Sequence, residues 1–249
     1  MLKGKVCIVT GGSRGIGKAI SQIFAENGAI GYATATQVGS VETWSKEFNA
    51  HTEGEIRAIY FDVSDEKAVN KAVMQIKRTC KCIDVLVNNA GVEFNELIGM
   101  INLSNMERMF SVNVYGTINM FQAMSRVMGK QKNGGSVVNI TSMTALRGNA
   151  GQLVYSATKG AIVSVTKSAA KELANKNIRV NAIAPGLTNT EMIKNADFVK
   201  LKNRIDNICM GRIAEPYDIA KACLFMASDL SSYVSGQVLA VAGCAIMSL

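Results

Sequence analysis

The chain has 249 residues, 48% of them hydrophobic and 18% charged, enough to bury a core in one large α/β unit or two small ones. Lys and Arg total 27 against 19 Asp and Glu, a net charge of +8, but the positive residues are scattered, and no basic arm or aromatic RNA-binding signature points to nucleic acid. A single histidine, His51 in a polar stretch, argues against a Ser-His-Asp triad, and six dispersed cysteines with only Cys80 and Cys82 close together argue against a metal site.

No apolar run is long enough to cross a bilayer, so no membrane partner is expected. Met1 to Lys5 lead straight into an apolar strand, from which we expect no signal or transit segment and a cytoplasmic location. Apolar runs at Val6–Val9, Ile30–Ala35, Ile56–Phe61, Ile83–Val87, Val137–Ile140, Ile178–Ala184 and Val238–Val241 read as strands. Between them, helical periodicity covers Gly15–Asn27, Val41–Asn49, Glu66–Lys77, Met106–Met128, Leu153–Asn175 and Tyr217–Ser228. Continuous apolar strands alternating with helices predict an α/β fold: a single-domain, doubly wound (Rossmann) parallel sheet of seven strands with helices on both faces. Its cofactor half would end near residue 140, with a catalytic and substrate half from 141 to 249. Ligands in such sheets sit beyond the carboxyl ends of the strands. The long mixed segment 186–212 is a candidate lid over the substrate.

Directly after the first strand comes Thr10-Gly11-Gly12-Ser13-Arg14-Gly15-Ile16-Gly17, opening an amphipathic helix. Glycines at 11, 15 and 17 allow a tight turn whose N–H groups, with the helix N-terminus, can cradle a pyrophosphate. The spacing differs from the usual G-x-G-x-x-G, and a plain strand-to-helix turn also uses glycine; its place after the first strand strengthens the cofactor reading. The second strand ends in Thr34-Ala35-Thr36-Gln37, without the carboxylate that would hold an NAD ribose and repel a 2′-phosphate. With the guanidinium of Arg14 nearby, this favours NADPH/NADP+ over NADH. Asp62-Val63 after the third strand is placed for the adenine end, and Asn88-Asn89-Ala90-Gly91 after the fourth can approach a cofactor closely.

Tyr155 and Lys159 are four apart on one helix and share a face. A free phenol, with a pKa of about 10, is a weak acid–base catalyst near neutrality, and an adjacent ammonium would lower that value. Lys159 can also hold the nicotinamide ribose. Ser142, following the fifth strand, can orient a carbonyl beside the tyrosine. A Tyr–Lys pair at this spacing can also simply pack and snorkel; Ser142, the glycine turn and Asn88–Gly91 set this one apart. Asn113, a poor helix former within a predicted helix, hints at a side-chain task, such as holding a water that links Lys159 to solvent.

These residues, in this order, resemble the classical short-chain dehydrogenase/reductases over essentially the whole chain, from Lys5 to about Val241. The resemblance implies Tyr155 as general acid, Ser142 as carbonyl anchor, Lys159 as ribose and pKa partner, and Asn113 as relay residue. It implies cofactor contacts at Gly11, Ser13, Arg14, Thr36, Asp62, Val63, Asn89 and the Pro185-Gly186 turn, with Thr188 meeting the carboxamide. Within the family, Gly31–Thr36, Arg147–Gln152 and Pro185–Met192 are most similar to 3-oxoacyl-[acyl-carrier-protein] reductases. That likeness implies reduction of a 3-oxoacyl thioester in fatty acid synthesis, an acidic acyl carrier protein as partner, and a homotetramer built on the two long helices. Arg126, Lys130 and Lys171 are where a docking surface for the carrier is expected. The chain departs from the pattern at Leu239–Cys244, where an Asp-Gly-Gly run is usual, at Val154, and in the loop Glu93-Phe-Asn-Glu-Leu-Ile. These leave two rivals: a reductase or dehydrogenase of another carbonyl or alcohol, such as a sugar, steroid or small ketone, and a nucleotide-sensing protein without catalysis.

Overall fold

The computed structural model describes residues 1–191 and 205–245. Chain order is β1 (Val6–Val9), α1 (Gly15–Glu26), β2 (Ile30–Ala35), α2 (Glu42–Asn49), β3 (Glu55–Tyr60), α3 (Glu66–Cys80) and β4 (Val85–Asn88). There follow α4 (Leu103–Met109), a π turn (Phe110–Tyr115), α5 (Gly116–Met128), β5 (Gly135–Ile140), α6 (Thr144–Arg147), α7 (Leu153–Leu173), β6 (Ile178–Pro185), α8 (Pro216–Ala227) and β7 (Val238–Val241). The seven strands form one sheet in the order β3-β2-β1-β4-β5-β6-β7, every pair parallel. This is the doubly wound α/β fold the sequence predicts. The order reverses between β1 and β4, so the two chain crossings diverge there and leave a crevice at the carboxyl edge.

The pleat divides the core in two. Cys7 and Val9 of β1 face α1 and α8, where Ile20, Phe24, Ile219 and Cys223 are fully buried. Val6 and Ile8 face the other layer, where Val73 and Ile76 of α3, Met120 and Met124 of α5 and Leu173 of α7 close the core. Buried on both sides, the central strands carry unbroken apolar runs, which is why they were legible as strands. No helix among the described residues is long and apolar enough to cross a membrane.

The largest departure from expectation lies in the helix placed at Met106–Met128. It begins earlier, at Leu103, where the Asn102 side chain caps the N–H groups of Ser104 and Asn105 at 2.9 and 3.4 Å. It is also interrupted by the π turn, so Asn113 occupies a widened turn rather than a regular mid-helix position. The short α6 was not anticipated; four residues are too few to show a period. Of the proposed lid, residues 192–204 lie outside the described residues, with Lys194, Lys200, Lys202 and Arg204 among them.

Candidate active site

The glycine turn is shaped by contacts that exclude side chains. Gly11 and Gly15 have φ of +65° and +53°, and a Cβ at Gly17 would fall 2.1 Å from the Gly11 carbonyl oxygen. Asn89 ties the turn to β4: its Nδ2 donates to the carbonyls of Thr10 and Gly11 at 2.9 and 3.1 Å. The Thr10 hydroxyl in turn accepts from the N–H groups of Asn89 and Ala90, each at 2.9 Å. Two strand ends are thus locked side by side at the switch point, leaving backbone to face the crevice.

A cavity of about 1370 Å³ runs along this edge. Its lining contains all the expected cofactor residues: Gly11, Ser13, Arg14, Gly15, Ile16, Gly17, Thr36, Asp62, Val63, Asn89, Ala90, Gly91, Pro185, Gly186 and Thr188. Ser142, Tyr155 and Lys159 line it as well. The bare Cα of Gly91 is a cradle that a side chain would fill, since a Cβ there would stand 3.3 Å from Asn113 Oδ1 and 3.4 Å from Lys159 Nζ. Such an elongated, glycine-floored cavity, with hydroxyls, an amide and a cation in its walls, fits a nicotinamide dinucleotide.

Some expected side chains are already engaged. Asp62 accepts from the Ser64 N–H at 2.9 Å and from Arg108 at 3.0 Å. Burial works against its charge, but the hydrogen bonds from Ser64 and Arg108 prevail and hold the carboxyl below the usual carboxylate range. Arg14 pairs with Glu191 at 2.5 Å, both side chains being largely exposed. Gly186 lies against the tail that follows β7, where an added Cβ would meet Ala242 at 2.8 Å.

Three hydrogen bonds fix α7 against the end of β5. The Thr141 hydroxyl donates to the Lys159 carbonyl at 2.8 Å, Lys159 Nζ to the Ile140 carbonyl at 2.9 Å, and Asn139 Nδ2 to the Thr166 hydroxyl at 2.8 Å. This brings Tyr155, at the start of α7, near Ser142, which follows β5, and the Ser142 hydroxyl is close enough to act on the phenol. Ser142 Oγ also accepts from the N–H and hydroxyl of Thr144 at 3.2 and 3.0 Å, so α6 orients it.

The electrostatics differ from the sequence reading. Burial pushes the Tyr155 phenol well above the ordinary tyrosine value, the Glu93 carboxylate pushes it further, and Ser142 draws it back. The expected lowering by Lys159 is absent, because its buried Nζ is turned to the Ile140 carbonyl, 5.8 Å from the centre of the phenol ring. Burial brings Lys159 itself down from 10.5 to about 8, and Glu93 opposes that shift.

Asn113 and Asn88 lie outside the cavity wall, and the Asn113 side chain is engaged within the protein. Oδ1 accepts from the Val92 N–H at 2.8 Å, while Nδ2 donates to the Val92 carbonyl at 2.9 Å and to Thr158 at 3.1 Å. Both amide hydrogens are therefore committed to clamping the loop after β4 onto α7. Glu93, noted in the sequence only as part of an atypical loop, emerges as a site residue: it lines the cavity, acts on both Tyr155 and Lys159, and accepts a hydrogen bond from Gln152. A carboxylate just beyond the Asn-Asn-Ala-Gly turn was the available signal.

Arg126 and Lys130 lie at the carboxyl end of α5, and Lys171 lies on α7 sixteen residues beyond Tyr155, about 24 Å along the helix axis. None of the three lines the cavity, so within one chain they do not form its entrance.

The family described as "Enoyl-(Acyl carrier protein) reductase" matches residues 11–244. A 3-oxoacyl-[acyl-carrier-protein] reductase of Thermotoga maritima is 37% identical over 242 residues, covering 97% of this chain and 98% of its own length. A 3alpha-hydroxysteroid dehydrogenase of Mediterraneibacter gnavus is 38% identical over 246 residues, covering 98% of each. A solved structure of a putative short-chain alcohol dehydrogenase from Sinorhizobium meliloti superposes with a TM-score of 0.94 at 32% identity, covering 100% of this chain and 98% of that one. A short-chain type dehydrogenase/reductase from Mycobacterium ulcerans gives 0.93 at 28% identity, covering 97% and 90%.

Proposed function

The chain belongs to the short-chain dehydrogenase/reductase family of oxidoreductases, and on that footing we propose that it reduces the 3-oxo group of an acyl-carrier-protein-linked thioester to the 3-hydroxy product, using NADPH. One observation carries the reading: Tyr155, Ser142 and the buried Lys159 ammonium line one cavity beside the bare Gly91, at the switch point of the sheet, with Ser142 acting on the phenol.

A bound nicotinamide dinucleotide supplies the hydride. The chain's own residues align the substrate and handle the proton. The carbonyl oxygen accepts hydrogen bonds from Ser142 and Tyr155, which polarise it. A phenol held above its usual pKa stays protonated until negative charge develops on that oxygen, and then delivers its proton there. The Lys159 ammonium, one helical turn away, compensates the phenolate that remains and is placed to hold the ribose. Asn113 keeps the Val92 loop and Thr158 in register, so that Gly91 stays open. Gly11, Gly15 and Gly17 would hold the pyrophosphate; Thr36 and Arg14 would hold the 2′-phosphate, in the absence of a competing acid at the end of β2.

We further propose a homotetramer packed through α4–α5 and α7, where Tyr115 and Ile118 present apolar surface to solvent in the single chain. Antiparallel packing of these helices would carry the Arg126 end of one copy towards the cavity of another, so carrier docking there goes together with assembly. A cytoplasmic location fits a reduced pool of six free cysteines.

The second reading, oxidation or reduction of a hydroxysteroid or another secondary alcohol, is favoured by the steroid dehydrogenase of equal similarity and by the unusual Glu93 loop. A steady-state comparison of acetoacetyl thioester with a panel of ketones, sugars and hydroxysteroids, with NADPH and NADH, separates the two. The proposal requires the thioester with NADPH to give the highest kcat/KM; preference for a steroid or sugar overturns it. No turnover on any substrate despite tight NADPH binding would support a nucleotide-sensing role.

A further inference from the structure

We propose that Cys209 and Cys244 form a reversible disulfide site, oxidised by a small-molecule disulfide and reset by thiols, which clips the stretch leading into α8 to the tail following β7. Ile208 and Ala245 pair as an isolated antiparallel bridge. One step further along the pair, Cys209 and Cys244 face each other: the Cys209 N–H donates to the Cys244 carbonyl at 3.4 Å, and the Met210 N–H to that of Gly243 at 3.1 Å. The Cys244 thiol is near enough to act on that of Cys209, and both residues are exposed. Directly opposed residues of an antiparallel pair hold their Cβ atoms about 4.5–5.5 Å apart, and a disulfide needs about 3.5–4.5 Å, so a small adjustment closes the bond. The other thiols are placed differently. Cys7 and Cys223 are fully buried, Cys80 contacts the Tyr32 hydroxyl, and Cys82 is turned to Asp84.

The location gives the bond a consequence. The tail carrying Cys244 touches the site at two points: Ala242 abuts Gly186, and the Ala245 carbonyl accepts from Arg147, the last residue of α6, at 2.7 Å. Five residues beyond Cys209, Ala214 pairs with Thr188, and Leu187 and Thr188 line the cavity. A covalent bond between the two cysteines ties this pairing to the tail. In the chemistry, the thiolate of one cysteine attacks a disulfide such as oxidised glutathione, releasing one glutathione thiol and leaving a mixed disulfide. The second thiolate attacks that bond, releases the second glutathione and forms Sγ–Sγ. Two protein thiols are oxidised, one disulfide is reduced to two thiols, and the protons pass to the departing thiolates. Contact with Cys244 raises Cys209 above the ordinary thiol value, so the reaction accelerates as pH rises.

The test incubates the full chain with oxidised glutathione, alkylates the remaining thiols and maps the peptides. We expect loss of two alkylatable thiols, a cross-linked peptide joining Cys209 to Cys244, recovery with dithiothreitol, and no cross-link in Cys209→Ser. Both cysteines remaining alkylatable, or a cross-link at Cys80–Cys82 or between chains instead, overturns the site. The clip also rests on the proposed use of NADPH: its dissociation, followed by stopped-flow fluorescence, should slow severalfold in the oxidised protein. An unchanged rate with the cross-link mapped overturns the clip. Failure of the reduced protein to bind NADPH strikes the functional reading alone, because peptide mapping does not depend on cofactor.

Discussion

Lys159 Nζ donates to the carbonyl of Ile140 at 2.9 Å, so the ammonium is anchored to the end of β5 and not to the phenol it shares a helix face with. The bond crosses from helix to strand and places a buried cation at the floor of the cavity. Keeping a charge there opposes folding, and the cost is retained for what the cation does to charge formed beside it.

That cost is measurable. Burial takes Lys159 from 10.5 to about 8, so between those values the unfolded chain binds more protons than the folded one, and stability rises with pH. The penalty is complete below about 8 and fades by 10.5. Lys159→Met should therefore gain about 1–3 kcal/mol at pH 7, after allowing for an unpaired Ile140 carbonyl, and the gain should shrink towards pH 10. Urea unfolding at the two pH values checks this, while kcat/KM falls by about 10²-fold or more.

Glu93 raises both Tyr155 and Lys159. Alcohol oxidation needs the phenolate, so removing the carboxylate in Glu93→Gln should move the rising limb of its pH–kcat/KM profile to lower pH. Loss of Lys159 charge should move the same way, bringing forward the alkaline fall of the reductive reaction. A profile displaced upward would show that another charge governs the phenol.

Asn113→Ala leaves the part-buried N–H and carbonyl of Val92, and the buried Thr158 hydroxyl, without this partner. We expect a loss of about 2–4 kcal/mol in stability, read by thermal or urea denaturation. Asn113→Asp, which keeps Oδ1 but not the donor to Val92 and Thr158, should recover only part of it.

Cofactor choice turns on the end of β2. Thr36→Asp should weaken NADPH binding more than NADH binding by on the order of tenfold, measured by fluorescence titration, since one repulsive contact is worth about 1–2 kcal/mol. Glu191→Gln, which frees Arg14 from its exposed ion pair, should shift the preference slightly towards NADPH.

The fold was legible because its central strands are buried on both faces. Ile30–Ala35 and Val238–Val241 have the bounds read from the sequence, and the glycine turn begins where the first apolar run stops. Reacting groups close in sequence, such as Tyr155 and Lys159, were legible through helical spacing. What escaped depends on partners far along the chain. The π turn is paired with the Asn113–Val92 clamp, and neither leaves a trace in a period of 3.6. Gln152 reaches Glu93 across 59 positions, and Arg14 reaches Glu191 across 177. The charge acting on the phenol was misread for the same reason: spacing puts Lys159 on the right face, but the strand beneath decides where its ammonium points.

The proton donor is the centre of the proposed chemistry, and Tyr155→Phe tests it most directly. Phenylalanine preserves the ring packing and removes only the hydroxyl. With acetoacetyl thioester and NADPH, kcat/KM should fall by about 10²–10⁴-fold while NADPH binding is retained. Turnover at the rate of the parent protein would contradict the assignment of Tyr155 as the acid.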